Sequence, residues 1–187
     1  AGRVGALENV TIRSELRLAP PFAVFMADPG ARSFTLDSLF YGPIELMVPP
    51  AQRTATPAPL SFFEALFRRG DLQCDVAAIM VSPPDNEGYM HFCPSPGLAR
   101  TLATHARLFF AEINESYFPI QGTEDRRIHL SEVSHVIEGD NPPMLGVPAP
   151  AASAEDQQIA AHILGVIQDG SCLQIGYGAV PDAVAAL

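Results

Sequence analysis

Two short stretches combine residue types at spacings that could carry chemistry. Gln174-Ile175-Gly176-Tyr177-Gly178-Ala179-Val180-Pro181-Asp182-Ala183 reads as a strand, a glycine turn and a helix start, with Pro181 near the first helical position. Two glycines let a backbone approach a ligand closely, and free amides at a helix start favour an anion. One reading is a cradle for phosphate or pyrophosphate. The other is a tight strand–helix turn that binds nothing. The third glycine of a dinucleotide fingerprint is missing and Pro181 stands in its place, which argues against NAD.

The second stretch, Ser82-Pro83-Pro84-Asp85-Asn86-Glu87-Gly88-Tyr89, lies between two candidate strands. It falls at the C-terminal edge of the first, where open α/β sheets place ligands. The residues themselves favour a plainer reading, a proline-stiffened turn in which Asp85 and Asn86 bond their own backbone.

The remaining titratable groups say less. His91, His105, His129, His135 and His162 show no compact metal-ligand spacing with an adjacent carboxylate or thiol, so no metal is expected. Cys74, Cys93 and Cys172 lie in apolar, strand-like stretches and read as buried structural thiols. A Cys–His pair assembled by the fold stays open. Glu112 follows Leu108-Phe109-Phe110-Ala111, which predicts partial burial and a raised pKa. A functional acid is one reading of Glu112; a structural carboxylate paired with an Arg is the favoured one. Glu124-Asp125-Arg126-Arg127 balances its own charge and reads as a solvated loop.

The elements that must position these residues alternate in type. Val10 to Leu18 reads as a strand. Residues 19–59 carry apolar pieces (Phe22–Met26, Phe34–Tyr41, Ile44–Val48) broken by prolines and Gly30, which predicts short strands and loops. Ser61 and Glu64 have the spacing of a capping box, and Gly70 stops the helix that follows. Cys74 to Val81 is a continuous apolar run, the pattern of a strand buried on both faces. Gly88–Cys93, Leu108–Ile113, Ile128–Leu130 and His135–Glu138 are further strand candidates, and Gly97–His105 is a helix. Residues 140–152 read as a stiff, proline-rich linker. Ser153 caps a helix whose Ile159, Ile163, Val166 and Ile167 share one face, ending at Asp169-Gly170. Ser171–Ile175 is a strand leading into the glycine turn. Helices alternating with buried strands predict an α/β fold.

Composition narrows the field. The 187 residues carry 11 basic and 21 acidic side chains, a net charge of −10. That balance argues against nucleic-acid binding, because it offers no field to replace phosphate counterions. All 11 basic residues are Arg, so these residues hold no Schiff-base or P-loop lysine. No apolar run approaches membrane-spanning length, and no basic segment followed by an apolar one opens the chain. Three scattered cysteines suggest a reducing, cytoplasmic setting rather than a disulfide framework. The 18 prolines are about twice the usual share, which implies long ordered connections.

Taken in order, the motifs resemble one family. Asp75-Val-Ala-Ala-Ile-Met-Val-Ser-Pro-Pro-Asp-Asn-Glu-Gly-Tyr89 is similar to the DVALIQVSPPDxxGY stretch of the acetyl-CoA hydrolase/transferase family. That family includes butyrate-type, 4-hydroxybutyrate and succinyl-CoA:acetate CoA-transferases. Ile128-His-Leu-Ser-Glu-Val133 resembles its IHVSEID stretch. Asp169-Gly170 with Leu173 to Val184 resembles its DGATLQLGIGAIPDAV stretch. Leu7-Glu8-Asn9-Val10-Thr11-Ile12 fits its LKNVxI. The likeness runs from one end of the chain to the other.

The resemblance implies an α/β fold with an open mixed or parallel sheet, and two similar tandem domains of which this chain covers mainly the first. Residues 1–139 would be an N-terminal CoA-transferase-like domain without the family's first strand and helix. Residues 140–152 would be the linker, and 153–187 the start of the second domain. It implies coenzyme A as substrate, in a short-chain acyl-CoA, with a small carboxylate as acceptor. An active-site glutamate would form a glutamyl-CoA thioester. Gly176, Tyr177, Gly178, Ala179 and Val180 match the family's CoA-binding region. The family's catalytic Glu lies in an H-[ST]-E motif beyond the glycine loop, where this chain has no matching residue, so no catalytic residue is carried over. Met90-His91-Phe92-Cys93 departs from the family's Cys-Ser-Leu-Gly-like stretch. The rest of the enzyme, in the same or a second chain, and a homo-oligomer are expected partners. A catalytically silent CoA-binding or assembly module is the rival expectation.

Overall fold

A computed structural model describes residues 3–15, 23–144, 146 and 151–186. The chain divides into two compact units, Ala1–Met144 and Leu145–Leu187.

In the first unit, β-branched and alternating residues form β1 (Val10–Ser14), followed by α1 (Ala23–Ala27), β2 (Phe34–Ser38) and β3 (Arg53–Ala55). The three strands pair in parallel in the order β1-β2-β3, with Val10 opposite Phe34 and Leu36 opposite Arg53. Phe25, Phe34, Leu36 and Val48 close the core under this sheet. Each buried side chain of this size contributes roughly 1.5–3 kcal/mol. Phe22 and residues 16–18 of the predicted first strand lie outside the described residues. Ala23–Ala27 is helical rather than extended, and Ile44–Val48 contains a 3₁₀ turn over Glu45–Met47. Phe25 enters the core from one turn of helix, a placement that residue type alone does not reveal.

Next comes α2 (Leu60–Arg69). Its N-cap is Pro59, not Ser61, and no side chain caps it. The Phe62 amide donates to the Pro59 carbonyl at 2.8 Å, so the first turn is already closed around Ser61. Glu64 pairs with Arg68 instead. Gly70 ends the helix as expected, at φ +79°. Phe63 and Phe67 bury the inner face of α2 against Leu98.

The second sheet is built from β4 (Val76–Val81), β6 (Leu108–Ile113) and β8 (His135–Glu138), parallel in the order β4-β6-β8. Between them the chain forms β5 (Tyr89–His91), α3 (Ala99–His105) and β7 (Arg127–His129), with β5 and β7 antiparallel. Ala77, Val81, Phe109 and Ala111 face a core completed by Met90, Phe92, Ala99 and Ile128. The strand predicted as buried on both faces is buried on one. Ala77 and Val81 point inward, while Val76 is 52% exposed, because the described elements of this core pack on the Ala77 side of the strand.

In the second unit, Ser153 caps α4 (Ala154–Leu164). Its Oγ accepts from the Asp156 amide at 3.1 Å, and the Asp156 carboxylate accepts from the Ser153 amide at 2.9 Å. The helix stops at Leu164, short of Asp169-Gly170, and α5 (Ala179–Ala186) follows. The two helices pack together, with Ala160 and Ala183 buried. Ile159, Ile163 and Val166 remain exposed within this unit, contrary to the expected buried face. Ser171–Ile175 forms no strand, since no described segment of the unit offers a ladder to pair with.

Candidate functional site

Parallel strands leave their last residues at one edge of a sheet, and there the first unit gathers its polar turn. Ser82 follows β4 directly. Its amide donates to the His91 carbonyl at 2.9 Å, and its Oγ accepts the His91 amide at 3.0 Å and donates to the Pro83 carbonyl. Asp85 holds the tip. Its Oδ1 accepts the amides of Glu87 and Tyr89 at 2.9 Å each, and its carbonyl accepts from Gly88. These bonds, the Tyr89 amide first, hold the Asp85 carboxyl below the usual carboxylate range. Asp85 bonds its own backbone as expected; Asn86 does not.

Gly88 is required where it stands. Its φ is +86°, and a Cβ there would lie 2.8 Å from His129 Nε2. His129 in turn is locked. Nε2–H donates to the Glu87 carbonyl at 3.0 Å, Nδ1 accepts from Ser131 Oγ at 2.7 Å, and the ring sits edge-on to Tyr89. Arg127 lies over the Tyr89 ring, 4.0 Å from its centroid. The stretches Asp75–Tyr89 and Ile128–Val133, far apart in sequence, are therefore two halves of one hydrogen-bonded turn. Arg100 pairs with Glu132 at 2.6 Å and holds its carboxyl low.

Asn114, one residue past β6, was not singled out from the sequence. It is fully buried, its amide donates to the Val81 carbonyl, and its Nδ2 donates to the Pro142 carbonyl at 2.8 Å. It ties together the ends of β4 and β6 and the segment beyond β8. A polar residue directly after an apolar strand is the signal that would have found it.

The other candidates disperse. His91 is buried, and burial, reinforced by Arg126, lowers its pKa. Cys93 donates its thiol to the Phe118 carbonyl, and burial pushes that thiol up. No described histidine nitrogen bonds a cysteine sulfur. Cys93 is buried and Cys74 half-buried, but Cys172 is exposed, because the strand expected around it does not form. Glu112 is half-buried with its carboxylate under Gly139, and the expected arginine partner is absent among the described residues. Glu124 does pair with both Arg126 and Arg127. No cluster of three metal-ligating side chains occurs among the described residues.

The glycine turn lies in the second unit. Gly176 has no atom within 4 Å of a would-be Cβ, and Gly178 has φ +137°. The Gly178 carbonyl accepts from the Asp182 amide, the first bond of α5. Pro181 is the third helical residue rather than near the first, still within the turn that needs no amide partner. Tyr177 is 93% exposed. Gly176, Tyr177, Gly178, Ala179 and Val180 thus form an open backbone bend at a helix start.

Comparison with known proteins places this geometry. Residues 52–148 match the family model for the acetyl-CoA hydrolase/transferase N-terminal domain. The chain is 29% identical to butyryl-CoA:acetate CoA-transferase of Anaerostipes caccae, over 100% of its own length and 42% of that protein's. It is 36% identical to 4-hydroxybutyrate coenzyme A transferase of Clostridium kluyveri, over 67% of this chain and 29% of that one. Among solved structures, RipA from Yersinia pestis superposes with a TM-score of 0.82 at 22% identity, over 99% of this chain and 44% of that one. The 4-hydroxybutyrate CoA-transferase of Porphyromonas gingivalis superposes with a TM-score of 0.70 at 26% identity, over 99% of this chain and 49% of that one. The chain spans less than half the length of these relatives.

Proposed function

The chain belongs to the acetyl-CoA hydrolase/transferase family, and from that premise we propose that it is part of an acyl-CoA:carboxylate CoA-transferase. The observation that carries the proposal is the alignment of the whole chain with a CoA-transferase, together with its match to the family's N-terminal domain.

The chemistry is covalent catalysis by a carboxylate. A glutamate outside these 187 residues attacks the thioester carbonyl, expelling the CoA thiolate and forming an acyl-glutamyl anhydride. The thiolate attacks the glutamyl carbonyl, which releases the first acid and leaves a glutamyl-CoA thioester. The acceptor carboxylate then attacks that thioester, and the thiolate returns to the new acyl group. Within this chain, the Gly176–Val180 bend supplies backbone contacts to CoA. Its support is the open space at Gly176, the left-handed backbone at Gly178 and the free amides at the start of α5.

The test uses the intact enzyme. Acyl-CoA treatment should add a covalent CoA, detected by mass, and a small carboxylate acceptor should remove it. CoA binding without any adduct would favour the silent binding module. Gly176→Val should weaken CoA binding at least tenfold while leaving the melting temperature within a few degrees, because a Cβ there meets no atom within 4 Å. Unchanged affinity would remove this bend from the CoA site.

A further inference from the structure

The loop that follows β6 is fixed by a reciprocal pair of asparagines. Asn114 is fully buried. Its Oδ1 accepts the Ser116 amide at 2.8 Å, its carbonyl accepts the Tyr117 amide at 3.0 Å, and its Nδ2 donates to the Pro142 carbonyl at 2.8 Å. Asn141 answers from the segment beyond β8. Its Oδ1 accepts the Glu115 amide at 2.9 Å, and its carbonyl accepts from Ser116 Oγ at 3.3 Å. Each asparagine thus bonds the segment that carries the other. At the far end of the loop, the Phe118 carbonyl accepts the Cys93 thiol.

Asn141 holds its place against the preference of its backbone. Its φ is +51°, a left-handed conformation uncommon outside glycine, and a residue before a proline favours extended backbone. Such a conformation persists only where surrounding bonds over-determine it, and it concentrates at functional sites. Open α/β sheets bind ligands outside the carboxyl ends of their parallel strands. The chain leaves β4 through the Ser82–Tyr89 turn and β6 through the Asn114–Phe118 loop. The two are neighbours. The Asn114 amide donates to the Val81 carbonyl, directly before Ser82, and the Cys93 thiol lies against the Ser82 backbone. The turn is held by Asp85 within it and by His129. The loop depends on Asn141 and Cys93, which lie outside it.

We infer that Asn141 is a positioning residue for acyl-CoA, fixing the Glu115–Phe118 backbone beside the Ser82–Tyr89 turn before the substrate arrives. The inference rests on the proposed CoA-transferase activity and deepens it by giving the first unit a role in holding substrate. Asn141 acts through the loop rather than on the substrate: an ordered loop spares acyl-CoA the cost of ordering it. Asn114 shares the task, but replacing it would strand buried partners, so Asn141 is the residue to change.

The experiment uses the intact enzyme and two substitutions. Asn141→Gly keeps the left-handed backbone and removes the Oδ1 acceptor. Asn141→Asp keeps an acceptor oxygen and tolerates the same backbone. In Asn141→Gly, amide exchange should quicken at least tenfold at Ser116 and Tyr117, whose own acceptors on Asn114 remain, and stay unchanged at Glu87 and Tyr89. KM for acyl-CoA should rise at least fivefold with kcat within twofold, and Asn141→Asp should restore both exchange and KM. Slow exchange at Ser116 and Tyr117 overturns the inference, because Asn141 then does not order the loop. So does fast exchange with an unchanged KM, which takes the loop away from acyl-CoA, and so does a KM that Asn141→Asp fails to restore. A fall in kcat together with a melting temperature lowered by more than a few degrees marks a merely structural role and overturns it as well. A parent enzyme that forms the covalent CoA adduct beside any of these results discards the positioning role alone. A parent that forms no adduct discards the CoA-transferase reading and this inference together.

Discussion

At the scale of single residues, the site is held by groups that satisfy backbone rather than by groups poised to react. Asp85, His129 and Ser82 each spend their hydrogen bonds on neighbouring amides and carbonyls. The turn is therefore rigid. Gly88 is its narrowest point. Gly88→Ala puts a side chain on left-handed backbone, costing about 1–2 kcal/mol. It also drives a carbon to 2.8 Å from a histidine that cannot move aside. We expect a drop in melting temperature of roughly 4–8 °C, measured by calorimetry. A variant as stable as the parent would show that His129 is not locked. Of these residues, Asp85 was readable from its place in a proline-stiffened turn. The His129 contact was not, because it joins positions more than forty residues apart.

Elements were legible where the signal was local. Gly70 stops α2 and Ser153 starts α4, because a left-handed glycine and a capping hydroxyl act within one turn. Leu108–Ile113 reads as a strand from its own residues. The misread elements depend on what lies alongside. Ser171–Ile175 has strand-like residues but no described partner strand. The Cys74–Val81 run looks buried on both faces because residue type reports apolarity, not which side is covered. Ser61 carries the right spacing to Glu64, yet the turn closes one residue earlier. One prediction belongs here. Ser153→Ala removes the hydroxyl that accepts from the Asp156 amide and donates to the Asp156 carboxylate, while the Ser153 amide keeps its bond to that carboxylate, and should cost about 1 kcal/mol. Amide exchange should quicken in the first turn of α4 and stay unchanged in α2. Equal exchange throughout would mean that packing on α5 alone holds the helix.

For the whole molecule, the titratable groups set how stability follows pH. His91 has a lowered folded pKa, so its contribution is complete above the ordinary histidine value of about 6.5 and is lost as pH falls below it. The groups facing it add detail: Arg126 and Arg127 oppose its protonation, while Asp85 favours it. Asp28, Asp85 and Glu132 have lowered values through backbone and arginine partners, so they contribute above about pH 4 and are lost below it. Glu15, raised by burial, acts in the opposite sense and gains as pH falls. Denaturant midpoints should therefore decline in two stages. His91→Gln should flatten the first, which begins below about pH 6.5, and leave the second. A parent whose midpoint is constant down to pH 5 would show that His91 charges without cost.

Among the described residues, the second sheet ends in an unpaired strand. All four residues of β8 are exposed, and nothing among the described residues pairs along its outer edge. Such an edge is a template for polymerisation. During synthesis it is available to any extended chain that reaches it. The risk scales with concentration and with delay, so the yield of correctly folded chain becomes a race between intramolecular folding and intermolecular strand addition. His135 and Glu138 bracket the apolar Val136-Ile137 pair with polar groups, which shortens the stretch that a foreign strand could extend.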